Sequence, residues 1–259
     1  MQGAEESAPY AVPRVVGDIS DCYFYHTMEI PGHGVVQGEW DLRPGVDAYL
    51  GGFDFRGKRV LDVGAASGFL SFHVERNGAD VVSYDLSEDQ PWDIVPFARG
   101  DAAAVEAGRR DHIRRINNGY WFCHRAFNSR AKAVYGTVYD MPPAIGPVDV
   151  AVYGSILLHL RDPFRALEMG ARLARQAIIV AEMPPFGRLG QFLPAAFFVP
   201  RFERADWFTW WRLPPRLTCE FLRVLGFEDT TVTWHRQRLS GKPRLLYTVV
   251  GRRTAGGPR

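Results

Sequence analysis

A glycine-containing turn and a later acidic residue are the parts of this sequence best suited to bind a nucleoside. The run Val60–Gly68 reads VLDVGAASG, so small residues follow a short apolar segment. Such residues let the backbone turn sharply from a strand into a helix and approach a ligand closely. Asp85 follows about 20 residues later, where a carboxylate can accept hydrogen bonds from ribose hydroxyls. The turn and Asp85 together predict a site for a ribose-bearing cofactor.

The same turn lacks the residues that bind pyrophosphate. A dinucleotide fingerprint, G-x-G-x-x-G, requires glycine where this chain has Ala66 and Phe69. The Gly-Lys-Ser/Thr sequence of a phosphate-binding P-loop does not follow the turn either. NAD is therefore the second choice, behind a cofactor without phosphate groups.

Two histidines are candidates for a catalytic base. His159 follows the fourth predicted strand, at the sheet edge where open α/β folds bind ligands, and imidazole can take up a proton near neutral pH. His26 lies in the segment Tyr23–Arg43, whose aromatic and polar residues alternate with glycines, as is typical of a mobile cover over a pocket. The sequence does not choose between them, and His159 could instead only order its loop.

Aromatic residues are concentrated in residues 183–215, which show no regular periodicity. We expect this insert to form a wall of an acceptor pocket, although core packing or a dimer contact would explain it almost as well. The candidate substrate-binding residues come from the insert and from the predicted cover: Tyr25, Trp40, Arg43, Trp207, Trp210 and Trp211. No metal site is predicted, because the histidines form no close helical H-x-x-x-H pair and have no cysteine companion.

The run Val60–Gly68 resembles the first motif of class I S-adenosylmethionine-dependent methyltransferases, and the resemblance extends over roughly Phe53–Val180. It implies S-adenosylmethionine as cofactor and S-adenosylhomocysteine as product. In such a protein Gly64, Ala66 and Gly68 would line the methionine part, Asp85 would bind the ribose, and Asp62 would order the turn. Asp140 and Met141 would lie beside adenine. The complete set of predicted cofactor-binding residues is Asp62, Gly64, Ala65, Ala66, Gly68, Asp85, Leu86, Asp140, Met141 and, at the end of the fourth strand, Tyr153, Gly154 and Ser155.

Four further stretches are similar to a bacterial branch that resembles the tRNA wobble-uridine carboxymethyltransferases and their small-molecule-acting relatives. They are YHTMEI at 25–30, FRGKRV at 55–60, ERNGA at 75–79 and LLHLRDP at 157–163. The net charge is only +2 and no additional RNA-binding domain is evident. We therefore expect methyl transfer to a small molecule, with oxygen in a natural-product-like or sugar-bearing metabolite as the first choice. RNA modification through the arginine-rich helix that contains Arg109 is the alternative, and a non-catalytic binding module is the third.

The elements that must position these residues alternate between strand and helix. This pattern predicts an α/β, Rossmann-like, doubly wound fold with a mostly parallel seven-stranded sheet and an antiparallel terminal strand. The predicted strands are Lys58–Val63, Asp80–Tyr84, Ala133–Val138, Val148–Tyr153, Ala177–Ala181, Phe227–Trp234 and Arg244–Val250. Five helices are predicted. The first follows Pro44, the second spans Ser67–Asn77, and the third spans Asp101–Phe127 with a break near Asn117–Gly119. The fourth begins at Pro163, and the fifth begins at Thr218, which caps it. Residues 1–52 are expected to form a leader and lid, and residues 53–259 the main domain.

Composition limits the remaining function classes. The chain has 259 residues, of which 46% are hydrophobic and 23% charged, as in ordinary globular proteins. Its first residues do not resemble a signal peptide, its longest apolar run is too short for a membrane span, and its three cysteines are widely separated. We expect a cytoplasmic protein without a membrane partner, and a homodimer is left open.

Overall fold

The computed structural model describes residues 9–254, so the beginning of the predicted leader and the end of the predicted main domain lie outside the described residues. The strands are β1 (Met28–Ile30), β2 (Gly34–Val36), β3 (Trp40–Asp41), β4 (Arg59–Val63), β5 (Asp80–Asp85), β6 (Lys132–Tyr135), β7 (Val148–Gly154), β8 (Ala174–Glu182), β9 (Phe197–Phe198), β10 (Trp211–Arg212), β11 (Asp229–Leu239) and β12 (Lys242–Arg252). The α-helices are α1 (Val46–Tyr49), α2 (Phe69–Arg76), α3 (Ala102–Ala126), α4 (Pro163–Leu173) and α5 (Pro215–Val224).

One large sheet organises the protein. Its strand order is β3-β11-β12-β8-β7-β4-β5-β6, and the five strands from β8 to β6 are parallel. Strand β12 runs antiparallel to β8, and β11 runs antiparallel to β12. The predicted Rossmann-like α/β fold is confirmed, with eight strands instead of seven. The additional strand is β3, whose Trp40 and Asp41 pair with Leu239 and Arg238 of β11.

Each face of this sheet buries its own layer of helices. Because successive side chains of a strand point to opposite faces, Val60 lies in the apolar cluster that contains residues of α2 and α3. Its neighbour Leu61 lies in the cluster that contains Leu167 of α4 and Leu222 of α5. Burial on both faces explains why the parallel strands read as nearly continuous apolar runs.

The chain reverses its direction of winding between β4 and β7. From β4 it proceeds outward to β5 and β6, and it then returns to β7 and continues outward to β8 on the other side. Loops from the two halves therefore separate at the carboxyl ends of β4 and β7, which leaves a crevice there. The predicted turn, Asp85 and His159 all follow strands that end at this edge.

Helix α3 is continuous, so the predicted break near Asn117–Gly119 is wrong. The Asn117 and Asn118 side chains donate hydrogen bonds to the main-chain carbonyls of Leu86 and Asp21, at 3.0 and 3.1 Å. A Cβ atom at Gly119 would lie 2.8 Å from the Tyr23 carbonyl oxygen, so the glycine permits a close approach of that segment. These residues serve tertiary contacts and do not end the helix.

The start of the fifth predicted helix also differs. Thr218 lies inside α5, which begins at Pro215, and its buried hydroxyl pairs with the Pro214 carbonyl and the Tyr247 hydroxyl. Strands β11 and β12 are longer than predicted, and Ser240 and Gly241 connect them with positive φ angles of 48° and 75°.

The N-terminal segment is built into the domain. Residues 22–42 contribute buried Phe24, His26, Met28, Ile30 and Trp40 to the apolar cluster on one face of the sheet. This packing differs from the mobile cover that the glycines predict, because most of these glycines occupy the β1–β2 hairpin and its flanks. Among residues 9–254, no helix has the length and apolar character needed to cross a membrane.

Candidate functional site

The turn after β4 adopts the tight conformation that its small residues predict. Gly64, Ala66 and Gly68 have φ angles of 78°, 49° and 86°, in the left-handed region that favours glycine. A Cβ atom at position 64 would lie 2.6 Å from a methyl group of Ile156. The turn therefore brings the backbone of β4 directly against the loop that follows β7, and larger residues would close the space between them.

Asp85 ties this turn to the end of β5. Its carboxylate accepts hydrogen bonds from the main-chain N–H groups of Ala66, at 2.6 Å, and Leu86, at 2.7 Å. Burial raises the pKa of Asp85, and the two backbone hydrogen bonds oppose that shift. Each carboxylate oxygen has a second lone pair, so Asp85 can hold the turn and still accept hydrogen bonds from a ligand.

A cavity opens beside Asp85 at the predicted crevice. The loops after four strands, β4, β5, β6 and β7, line it, and their residues are Gly64, Asp85, Leu86, Pro91, Trp92, Asp93, Gly136, Thr137, Val138, Tyr139, Ile156, His159 and Leu160. Apolar side chains of Leu86, Val138 and Ile156 form a slot next to the carboxylate. The Trp92 indole N–H is buried without a hydrogen-bond partner in the described structure, so the lining includes a donor that a ligand could use.

Two predicted adenine-flanking residues do not line this cavity. Asp140 is exposed, and Met141 is buried in the apolar cluster beneath the sheet. Strand β6 ends at Tyr135, three residues before the predicted Val138, so Thr137 and Val138 occupy the rim instead. The resemblance therefore points to the loop that lines the cavity, although Asp140 and Met141 are not among the lining residues.

The predicted residues at the end of β7 separate into two groups. The Tyr153 side chain is fully buried on the opposite face, where its hydroxyl donates to the Ala166 carbonyl at 2.8 Å, so its predicted place beside the cofactor is wrong. Ser155 has a φ of 56° and lies at the crevice edge, where its hydroxyl accepts a hydrogen bond from Tyr49 at 3.2 Å. A Cβ atom at Gly154 would lie 3.2 Å from the same Tyr49 hydroxyl, so that position requires a small residue.

Asp62 and Ala65 support the turn from behind. The buried Asp62 carboxylate accepts a hydrogen bond from the Ser71 hydroxyl of α2 at 2.6 Å, and its other oxygen has no partner within the described residues. Burial raises the pKa of Asp62 to about 6. The N–H groups of Gly64 and Ala65 donate to the Tyr84 carbonyl. Asp62 thus anchors β4 to α2 and does not line the cavity.

His159 lines the cavity in a defined orientation. Its Nδ1 lies 2.7 Å from the Phe208 carbonyl oxygen. A carbonyl can only accept, so Nδ1 carries the proton and Nε2 keeps its lone pair. Burial lowers the pKa of His159, the hydrogen bond to Phe208 opposes this shift, and the charges of Arg109 and Arg212 reinforce it. The side chain is therefore a neutral imidazole with a free basic nitrogen.

His26 occupies a different environment. It is buried between the rings of Tyr25 and Phe69, with centroids at 5.2 and 5.5 Å, and does not line the cavity. Its Nδ1 has no hydrogen-bond partner among the described residues, and burial lowers its pKa to about 4. Of the two histidines predicted as a base, the geometry favours His159.

The three tryptophans predicted to bind substrate support the cavity from outside. Trp210 donates its indole N–H to the Asp93 carbonyl at 2.8 Å, and Trp211 donates to the Arg161 carbonyl at 3.1 Å. Trp207 packs edge-on against Phe97, with ring centroids 5.2 Å apart. None of the three lines the cavity. The insert residue that reaches the site is Phe208, which the sequence analysis missed.

The three candidates from the N-terminal segment are also dispersed. The Trp40 side chain is buried in the core beneath β3, and Arg43 is an exposed residue paired with Asp41 at 2.8 Å. Both placements follow from the pairing of β3 with β11, which turns this segment toward the sheet edge. Tyr25 remains near the site, because the Arg109 charge acts on its hydroxyl group. Burial raises the pKa of that hydroxyl group to about 12.

A buried acid at the end of β8 is a further candidate that the sequence analysis missed. Glu182 is 1% exposed, and its Oε1 has no hydrogen-bond partner in the described structure. Burial raises its pKa to about 7, and the Arg212 charge and nearby main-chain groups oppose that shift. The signal was available, because Glu182 follows an apolar parallel strand at the same sheet edge as Asp85.

Most arginines of the basic stretch in α3 have local partners. Arg110 pairs with Glu106 at 3.6 Å and Arg114 with Asp111 at 2.6 Å, while Arg115 donates to the main chain of Ser20. Within the described part of the chain, no three His, Cys, Asp or Glu side chains come together as metal ligands.

The fold agrees with several solved structures, whereas no family model matches the chain. The N-terminal domain of EvdMO1 with SAH bound is 18% identical, with a TM-score of 0.58 over 88% of this chain and 90% of that one. Magnesium protoporphyrin IX methyltransferase from Synechocystis with bound SAH is 14% identical, with a TM-score of 0.51 over 82% and 81%. The 1,6-didemethyltoxoflavin-N1-methyltransferase of Burkholderia thailandensis, with 1,6-didemethyltoxoflavin and S-adenosylhomocysteine bound, is 16% identical, with a TM-score of 0.51 over 83% and 78%. At these identities the similarity establishes a shared Rossmann-like fold.

Proposed function

We propose that the protein is an S-adenosylmethionine-dependent methyltransferase that methylates a hydroxyl group of a small molecule. The observation that carries this proposal is the cavity at the carboxyl ends of β4, β5 and β7, where a left-handed glycine turn, the Asp85 carboxylate and an apolar slot meet. Solved structures of the same fold hold S-adenosylhomocysteine.

The lining residues fit this cofactor. Asp85 would accept hydrogen bonds from the ribose hydroxyls, and Leu86, Val138 and Ile156 would enclose the adenine. The unpartnered indole N–H of Trp92 offers a donor to a ring nitrogen. None of the described lining residues is a lysine or an arginine, which suits a ligand without phosphates better than NAD.

The turn would hold the methionine part of the cofactor. Gly64 and Gly68 keep the backbone open where any side chain would meet Ile156 or Phe72. When bound, the cofactor would supply a methyl group attached to a sulfonium sulfur. Attack of an acceptor oxygen on the methyl carbon would break the sulfur–carbon bond and leave the sulfur as a neutral thioether. The chain's own contribution is to align that oxygen and to remove its proton.

His159 is the proposed proton acceptor. The Phe208 carbonyl fixes its Nδ1–H, so Nε2 keeps the free lone pair of a side chain that lines the cavity. Because burial holds its pKa below the ordinary value, the imidazole is neutral and ready to accept a proton at neutral pH. Glu182 supplies a second protonatable group on the neighbouring strand end.

The alternative, modification of RNA, has weaker support. Long single-stranded or duplex RNA binds basic grooves, and the α3 arginines that could form one are engaged in ion pairs and main-chain contacts. A small acceptor is consistent with a site enclosed by Phe208, Trp92 and the end of β8.

Calorimetric titration with four ligands tests the proposal. We expect S-adenosylmethionine and S-adenosylhomocysteine to bind, and NAD and carboxy-S-adenosylmethionine to bind at least about ten-fold more weakly, which is about 1.4 kcal/mol. Preference for the carboxylated analogue would favour a tRNA-modifying relative instead. Binding of NAD alone would overturn the proposal.

A further inference from the structure

Two arginines beside the proposed site have buried nitrogen atoms with no hydrogen-bond partner among the described residues. These atoms are Nε of Arg109, on α3, and Nη1 of Arg212, on β10. No described carboxylate lies within ion-pairing distance of either side chain, whereas Arg110 and Arg114 on the same helix are paired. Both side chains are half-buried, and a buried nitrogen without a hydrogen-bond acceptor is costly, so the arrangement favours a ligand that supplies one.

Arg109 is held rigidly for such a ligand. Its guanidinium lies 3.5 Å from the centroid of the Phe208 ring and 4.6 Å from that of Trp92. Both rings pack against the guanidinium carbon, while its Nε atom is left without a hydrogen-bond partner among the described residues. Guanidinium edges match carboxylates well, because two parallel N–H groups can bind the two oxygens.

Both arginines belong to the surroundings of His159. The charges of Arg109 and Arg212 each lower the pKa of this histidine, and the Phe208 carbonyl that orients it belongs to the residue whose ring stacks on Arg109. The nearest acidic group on the insert, Asp206, is used by the main chain, since it accepts from the N–H groups of Phe208 and Thr209. Arg109 and Arg212 therefore place positive charge beside His159.

Glu182 does not cancel this charge. Burial raises its pKa to about 7, so a large fraction of this carboxyl group is protonated at neutral pH. A protonated carboxyl can donate to an anion or to a hydroxyl, and its free Oε1 is buried near Arg212. The end of β8 thus adds a polar contact that tolerates an anionic ligand.

We propose that the acceptor is a hydroxy acid, with its carboxylate held by Arg109 and Arg212 and its hydroxyl directed toward His159. This inference rests on the proposed methyltransferase function, because it assigns the substrate class of the same site. It excludes neutral polyketides and simple sugars as preferred acceptors. A phosphate monoester shares the anionic chemistry, and we favour the carboxylate because its two oxygens match the exposed edge of a stacked guanidinium.

The test uses 2-, 3- and 4-hydroxybenzoate as probes, with the matching hydroxybenzamides and inorganic phosphate as comparisons. Binding is measured by calorimetry with and without saturating S-adenosylhomocysteine. We expect at least one acid to bind roughly ten-fold or more tightly than its amide and than phosphate. Failure of the wild type to bind S-adenosylhomocysteine would contradict the methyltransferase proposal, whereas the comparison of acid with amide would still test the anion site.

Variants assign the effect to the two arginines. Arg109→Gln and Arg212→Gln should each weaken acid binding by roughly ten-fold or more, leave amide binding unchanged and retain S-adenosylhomocysteine affinity. Arg109→Lys keeps the charge and should give an intermediate loss, because lysine lacks the planar fork. Arg110→Gln, at the exposed neighbour, is the matched control and should bind like the wild type. Any one of four results would overturn the inference: equal binding of acid and amide, binding of phosphate alone, no binding of any acid, or an equal loss of acid binding in Arg110→Gln.

Discussion

The carboxylate of Asp85 accepts a hydrogen bond from the main-chain N–H of Ala66 at 2.6 Å, across the crevice that would hold the cofactor. The acid at the end of β5 therefore fixes the turn after β4. Ala66 has a φ of 49°, a conformation that costs energy for a residue with a side chain, and this hydrogen bond helps to hold it. The turn after β4 and Asp85, which the sequence spacing linked, therefore form one structural unit.

Replacement of Asp85 should weaken both the hydrogen bonds that hold the turn and the binding of the ribose. In Asp85→Asn one oxygen becomes an NH2 group, which cannot accept from Ala66 or Leu86 and cannot accept from a ribose hydroxyl. We expect S-adenosylhomocysteine affinity to fall by at least about 1.4 kcal/mol, or ten-fold, in calorimetry. Asp89→Asn removes an exposed carboxylate of the same loop and is the control. Unchanged affinity in Asp85→Asn would remove Asp85 from the site.

Gly68 should be sensitive to a single added methyl group. An added Cβ would lie 2.3 Å from Cε2 of Phe72, and the residue has a φ of 86°. Strain and overpacking each cost about 1–3 kcal/mol, so Gly68→Ala should lower the free energy of unfolding by roughly 2–5 kcal/mol. Gly57→Ala is the matched control, since Gly57 has a φ of 66° with open space around it and should show the strain alone. Urea unfolding measures both, and equal losses would show that the close approach to Phe72 is relieved without cost.

Local patterns were sufficient to predict the turn, Asp85 and the parallel strands, because each depends on residues close together in the chain. The placing of Asp140 and Met141 beside adenine follows from the resemblance, whereas Thr137 and Val138 line the cavity in the structure. Strand β6 ends at Tyr135, whereas branched residues predict its end at Val138, so the loop that lines the cavity begins earlier than predicted. The roles of Arg109 and Phe208 could not be predicted, since they arise where an insert and a helix about 100 residues apart in sequence meet.

His159 should be found as a single neutral tautomer. The Phe208 carbonyl requires a proton on Nδ1, and burial lowers the pKa of the ring. In long-range proton–nitrogen spectra of histidine-labelled protein, we expect the Nδ1–H form from pH 8 down to below the ordinary histidine pKa of about 6.5. The signal is assigned by its loss in His159→Gln. A proton on Nε2, or protonation near pH 6.5, would contradict its assignment as the base.

Glu182 should make stability depend on pH in an unusual direction. Its pKa is raised from an ordinary 4.5 to about 7 by burial, so the folded state keeps a proton that the unfolded chain loses between these values. Its contribution to stability is therefore fully present below pH 4.5, is lost as the pH rises to about 7, and is constant above that. At about 1.4 kcal/mol per pH unit the total loss is roughly 3 kcal/mol.

The Glu182→Gln variant isolates this effect, because glutamine resembles the protonated acid and does not titrate. We expect urea unfolding to show the wild type losing stability relative to Glu182→Gln between pH 5 and 7, with parallel behaviour from pH 7 to 8. The tyrosines that face Glu182 do not titrate in this range, because burial raises the pKa values of Tyr25, Tyr49 and Tyr247. Glu203→Gln, at an exposed position, controls for the removal of a carboxylate. A constant difference between wild type and Glu182→Gln from pH 5 to 8 would mean that Glu182 is ionised throughout, and the site would then carry one more negative charge than a hydroxy acid could tolerate.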